Sequence, residues 1–208
     1  MADSIIADVS AHGNKRLIYG VGSNDFPGKV SESGKLFKSY STWHGILERS
    51  YSAIYHARFP TYIGCSVAEE WLSFSNFERY YIKNHFGCAH LDKDILIPGN
   101  KLYGPDTCVF ISPMLNNLLL TKGSCRGICP LGVTFTKGKY HASVSENGRN
   151  RHLGAFPTAL AAHQAWQAAK ADIIERFPTT DPRIRAALDL RVAQLRDDLL
   201  HGRITVSL

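Results

Sequence analysis

The stretch LGVTFTKGKYHASVSENGRNRHLGAF, residues 131–156, decides how the second half of this chain folds. It breaks into three strand-like segments, 131–136, 139–145 and 150–156, separated by Gly138 and by Asn147-Gly148. Asn-Gly is the pair that a two-residue hairpin turn favours, because both central positions need a positive φ. In the middle segment Tyr140, Ala142 and Val144 alternate with Lys139, His141, Ser143 and Ser145, which puts an apolar and a polar face on one strand. An Ala-rich helix follows from Thr158 to Phe177. Leu153, Phe156, Ala162, Trp166 and Ala169 are expected to close a core between that helix and the sheet.

Beyond this unit, Asp181-Pro182 opens one more helix, with Ile184, Leu188, Val192, Leu195 and Leu199 along a stripe. That stripe needs a cover, either the chain's own core or a second copy, so a homodimer through this helix stays open.

Upstream, the first 16 residues are small and polar and read as loose. Ile18 to Val21 reads as a strand, and a helical pattern with Trp43, Ile46, Leu47 and Ile54 starts at Thr42. Ser66-Val-Ala-Glu69 is a capping-box signature predicting a second helix, whose aromatic row Trp71, Phe74, Phe77, Tyr80 and Tyr81 reads as core. Next come a strand at His90–Ile97, the loop GNKLYGPD (99–106), a strand at Thr107–Ile111, and a short helix opened by Ser112-Pro113 and running through Leu120. Thr121 to Pro130 reads as a linker.

The net charge of +6 is unevenly placed. Residues 128–170 hold 5 Lys and Arg against 1 acid, whereas residues 171–208 hold 6 of each. A local basic surface suits a polyanion and equally describes a solvated face that lacks acids. No apolar run reaches the roughly 20 residues of a membrane span, so no membrane role is expected. With no basic n-region ahead of an apolar stretch, the expected location is cytoplasmic. Five cysteines, Cys65, Cys88, Cys108, Cys125 and Cys129, read as reduced thiols. Neither His85, Cys88 and His90 nor Cys125 and Cys129 has paired zinc-knuckle spacing, and zinc is not expected.

On a strand over 90–97, His90, Asp92 and Asp94 share one face. Two carboxylates beside an imidazole can hold Mg²⁺ or another divalent ion and supply a base; an exposed polar face of an edge strand has the same spacing. The order strand with acidic doublet, Gly-Asn loop, strand, and helix carrying Asn116-Asn117 resembles the HNH endonuclease (His-Me finger) module over residues 90–120. The resemblance implies Asp92 as metal ligand, Asn100 as the asparagine that holds the hairpin, and Asn116 as the helix ligand, with Asn117 as the alternative register. The family's base histidine is Lys93 here, and a lysine near neutral pH carries its proton, so His90 or a perturbed Lys93 would have to serve. With its flanks, including TYIGC and EEWLSFSNF, the segment resembles phage homing-endonuclease-like proteins.

Leu131-Gly-Val133, Lys139-Tyr-His-Ala142, His152-Leu-Gly-Ala-Phe156 and the run Thr158–Ala169 resemble the AP-two/ethylene-response-factor DNA-binding domain, known in plant transcription factors and attached to phage HNH endonucleases. The resemblance implies a three-stranded sheet that enters the major groove of double-stranded DNA. Its candidate contacts are Thr134, Thr136, Lys137, Lys139, His141, Ser143, Ser145, Arg149, Asn150, Arg151 and His152.

The expected fold is thus α+β: an N-terminal helical region with an HNH-like ββα unit (1–120), a linker (121–130), an AP-two-like sheet packed on one helix (131–177), and a C-terminal amphipathic helix (178–208). The expected function is Mg²⁺-dependent DNA cleavage of the phage homing type, catalysed around His90, Lys93 and Asn100 with Asp92, Asn116 and Asp94 at the metal. The alternative is a catalytically inactive DNA-binding regulator derived from such a nuclease.

Overall fold

A computed structural model describes residues 17–120 and 129–208, so the expected loose N-terminus and most of the expected linker, with Cys125, lie outside the described residues. The protein is α+β. In chain order its elements are β1 (Ser31–Glu32), β2 (Lys35–Leu36), α1 (Lys38–Tyr51), α2 (Ala53–Arg58), β3 (Ser66–Val67), α3 (Phe74–Asn84), β4 (His90–Asp92) and β5 (Leu102–Tyr103). There follow β6 (Val109–Ile111), α4 (Pro113–Leu119), β7 (Val133–Thr136), β8 (Lys139–Glu146), β9 (Arg149–Phe156), α5 (Ala159–Glu175) and α6 (Pro182–Leu200). Contacts gather the chain into two compact units: residues up to His85 with Asn100–Thr107, and Phe86–Gly99 with Cys108–Leu208.

In the first unit Trp43, Ile46 and Leu47 of α1 bury completely, as do Trp71 and Phe77 of the predicted aromatic row, while Tyr80 and Tyr81 stay half-buried. The Trp43 indole N–H donates to the Trp71 carbonyl at 2.7 Å, so this large ring is buried with its polar atom paired. The capping box at Ser66 does not start a helix. Its backbone pairs in parallel with β5 instead: the Ser66 and Ala68 amides donate to the carbonyls of Lys101 and Tyr103, each at 2.8 Å. An amide committed to a strand partner is no longer free for a helix cap, and here the distant partner outweighs local propensity. The helix begins later, where the Ser73 hydroxyl accepts from the Asn76 amide and donates to Asp25. The expected strand at Ile18–Val21 is reduced to a single bridge between Ile18 and Gly22.

In the second unit β4 and β6 form a short antiparallel hairpin, with His90 opposite Ile111 and Asp92 opposite Val109. Ser112 caps α4 by accepting from the Leu115 amide, with Pro113 at the first helical position. β7, β8 and β9 form an antiparallel sheet in that order. Its turns, Lys137-Gly138 and Asn147-Gly148, all have positive φ between 49° and 75°, as primed hairpin turns require. β9 carries a bulge: Ala142 faces Gly154 but Ser143 faces His152, and Leu153 is the extra residue.

α5 covers the apolar face of the sheet, and α6 packs along α5. Its stripe Ile184, Leu188, Val192 and Leu195 is buried inside this chain, so that face is already covered without a second copy. Ile95, Val109, Ile111, Leu115 and Leu118 from the hairpin and α4 share one core with Leu131, Val144, Trp166, Ile174 and Leu188. The boundaries expected at 120/121 and 177/178 therefore do not coincide with the division into units. Gly132 meets Trp166 so closely that a Cβ there would lie 1.9 Å from its Cδ1, and its φ is +72°. Only glycine fits that contact.

One buried polar chain ties the end of the molecule to the sheet. The His163 imidazole, fully buried, accepts from the Thr205 amide through Nε2 at 3.0 Å and donates from Nδ1 to the Leu131 carbonyl at 2.9 Å. The Thr205 hydroxyl in turn donates to Asp198 at 2.8 Å. Among the described residues, Cys65, Cys88 and Cys129 are free thiols, and no helix is long and apolar enough to cross a membrane.

Candidate nucleic-acid interface and ββα unit

Register settles which side chains share the outer face of the sheet. Thr134 stands opposite His141 and Thr136 opposite Lys139, while His141 faces Ala155, Ser143 faces His152 and Ser145 faces Asn150. Cross-strand partners point the same way. Thr134, Thr136, Lys139, His141, Ser143, Ser145, Asn150 and His152 thus form one continuous polar surface, on the side away from Ala142 and Val144. The His141 and His152 rings lie 5.6 Å apart at its centre. Lys137 sits in the exposed turn at its edge.

Arg149 and Arg151 are not on that surface. They stand opposite Glu146 and Val144, on the face that carries the core, and Arg151 Nε pairs with Glu146 at 3.2 Å. The cause is the bulge at Leu153, which shifts the two-residue alternation by one position. Glu146 also takes Arg176 at 3.5 Å. The outer face is consequently rich in hydroxyls, amides and imidazoles, with its fixed positive charge confined to Lys137 and Lys139.

The hairpin is built differently. The strand predicted over 90–97 ends at Asp92. Asp92 Oδ1 accepts from the amides of Asp94 and Ile95, at 2.8 and 2.7 Å, and this turn drives Ile95 into the core. Asp94 therefore does not share a strand face with His90 and Asp92. Its carboxylate is clasped by Lys93, whose ammonium lies 2.7 and 2.8 Å from the two oxygens. His90 is exposed at the start of β4.

A residue missed by the sequence reading stands beside the doublet. Arg191 on α6 is 7% exposed, donates from Nη2 to the Asp94 carbonyl at 3.3 Å and from Nη1 to the Ala187 carbonyl at 2.8 Å. Burial lowers its pKa, while the charges of Asp92 and Asp94 oppose that shift. The signal was present: Arg191 lies seven residues after Ile184 and three after Leu188, an arginine inside the buried stripe. Lys170, also missed, is 5% exposed and donates to the Leu118 carbonyl near the end of α4; burial brings its pKa down to about 8.

For a divalent ion the donors present are sparse. Asp92 keeps Oδ2 free of hydrogen bonds from the described residues, and the half-buried Asn116 on α4 keeps its side-chain amide unpaired among them. One carboxylate with an amide suits Mg²⁺, which retains most of its water. Asp94 does not fit, being committed to Lys93. Asn117 is exposed at the rim of a cleft with Leu118, Trp166 and Lys170. Among the described residues no group of three or more His, Cys, Asp or Glu gathers as a metal cluster. Asn100 belongs to the first unit, where its amide closes the loop: Oδ1 accepts from the Leu102 amide at 3.0 Å and Nδ2 donates to the Leu102 carbonyl at 2.7 Å.

Compared with protein-family models, with curated proteins and with solved structures, the chain gives no match.

Proposed function

We propose that this protein binds double-stranded DNA through the outer face of β7, β8 and β9, and that its ββα unit, β4, β6 and α4, hydrolyses phosphodiester bonds with Mg²⁺ in the manner of phage HNH homing endonucleases. The observation that carries the reading is the shared core: the hairpin that would cut and the sheet that would hold DNA are parts of one packed unit. A duplex seated on the sheet then meets the ββα unit at a fixed offset, and fixed positioning is what a hydrolase needs most. Lys137 and Lys139 neutralise phosphates, while the hydroxyls, Asn150 and the imidazoles reach base edges. Asp92, with Asn116, would hold the ion, and His90 would accept the proton of the attacking water. One observation favours a second reading, a DNA-binding regulator without catalysis: Lys93 stands where the family keeps its base and lies 2.7 Å from the Asp94 carboxylate.

The test is plasmid cleavage with Mg²⁺ or EDTA, run beside duplex binding over a salt series. Mg²⁺-dependent nicking that disappears in Asp92→Ala and in His90→Ala, with duplex affinity kept, supports the nuclease. Salt-sensitive binding with no cleavage on any DNA supports the regulator. In both readings the double variant Lys137→Ala, Lys139→Ala weakens binding and flattens the salt slope by about 2; an unchanged slope removes the sheet from the interface.

A further inference from the structure

The first unit carries a surface that the reading above leaves without a task. α2 and the 3-10 turn after it, Pro60–Tyr62, bury none of their residues, although with Phe59 between them they hold the aromatic rings of Tyr55, Phe59 and Tyr62. Tyr55 lies between the other two, 4.8 Å from the Phe59 ring and 5.5 Å from the Tyr62 ring. Phe59 is 48% exposed, and Ile54 and Ile63, next to Tyr55 and Tyr62 in the sequence, are exposed as well. A protein that keeps this much apolar and aromatic surface in water has a use for it.

Charge narrows the choice of partner. From Arg49 to Ala68 there is not one acidic residue, while Arg49, His56 and Arg58 are all basic. Arg58 is exposed next to Phe59, and Lys101 is brought in from the loop that carries β5, its ammonium held on the Thr61 carbonyl. Aromatic faces interleaved with cations, in a stretch of chain without acids, match a chain of bases joined by phosphates. A paired duplex hides the base faces, so stacking on these rings requires an unpaired strand.

We infer that the surface formed by Tyr55, Phe59 and Tyr62 with Arg58 and Lys101 is a binding site for single-stranded nucleic acid, separate from the sheet and not dependent on its role. One base stacks on the exposed face of Phe59, and Arg58 and Lys101 take the flanking phosphates. Such a site would hold a strand that has been opened or nicked.

The experiment uses the full chain and a fluorescent oligothymidylate of about 12 nucleotides, long enough for one stacking site and free of secondary structure. Phe59→Ala is expected to weaken oligothymidylate binding about tenfold while duplex affinity stays unchanged. Phe59→Trp restores the affinity and reports it: Trp43, Trp71 and Trp166 are buried, so quenching on titration comes from the new indole. Arg58→Ala lowers the salt slope by about 0.7, the effect of one phosphate contact on a single strand. Lys139→Ala, on the sheet, loses duplex and keeps oligothymidylate, so failure of the sheet reading and failure of this one give different results. Equal oligothymidylate affinity in wild type and Phe59→Ala, or no binding by wild type, overturns the proposal. A change in self-association of Phe59→Ala without any change in nucleic-acid affinity also overturns it, and assigns the surface to a protein partner.

Discussion

The sheet face and the hairpin invite comparison because each was read from alternation along a strand, yet only one alternates. β8 and β9 run for 8 residues each, so their ladder of hydrogen bonds holds every paired side chain to a face, the bulged Leu153 excepted. β4 runs for 3, and its last residue turns its own carboxylate back on the backbone. A long strand presents its polar side chains to a partner, whereas a short one uses them to finish itself. The same Asp that reads as a metal ligand is first of all a turn-former.

The largest effect that probes this comparison is on the core joining the two regions. Trp166→Ala is expected to cost about 3–5 kcal/mol and to lower the unfolding midpoint of hairpin and sheet together. Two separate urea transitions, one for each region, would show that the shared core is not cooperative. Next is Lys170, whose pKa is brought down by burial to about 8 against about 10.4 in the unfolded chain. Between those values the unfolded chain holds a proton that the folded one has released, so stability rises with pH, by about 3 kcal/mol in full. Urea midpoints at pH 7 and pH 10 should show that rise in wild type and lose it in Lys170→Met.

His163 acts in the same direction at lower pH. Burial pushes its imidazole below the ordinary value, and a proton on Nε2 would remove the acceptor for the Thr205 amide. Below about pH 6.5 the unfolded chain takes up a proton that the folded chain refuses, so stability falls as pH falls. His163→Phe should cost about 1–3 kcal/mol at pH 7, by orphaning two buried backbone groups, and flatten that acid slope. The smallest effect separates the two regions most directly. Asp92→Ala should cost about 1 kcal/mol through its two amide bonds, while Thr134→Ala, on the outer sheet face, should cost under about 0.5 kcal/mol. Equal melting temperatures for the two variants would erase the distinction drawn between a presented and a self-satisfied side chain.

Much of this was written in the residues. Gly138 and Asn147-Gly148 turn the sheet where positive φ demands it, and the outer row from Thr134 to His152 follows from pairing parity. The helices from Pro113, Ala159 and Pro182 start where Ser112, Thr158 and Asp181 supply caps. What stayed hidden depends on partners far along the chain. Ser66 was lost to a strand because Leu102 lies beside it, and no local signal tells of that pairing. The bulge at Leu153 has no residue signature of its own, so nothing local tells that Arg149 and Arg151 stand on the core side of the sheet. Arg191 could have been found, had a charge inside an apolar stripe been taken as a request for a counter-charge.

That bulge has a further consequence. The strand from Arg149 to Phe156 contains two alternative alphabets, and the extra residue selects between them. With Leu153 set aside, the surface spells histidine and asparagine; were the irregularity to migrate into the Asn147-Gly148 turn, the same strand would turn over and spell two arginines, the side chains that grip guanine in pairs. A shift of one position would rewrite the vocabulary of this face without changing a single residue.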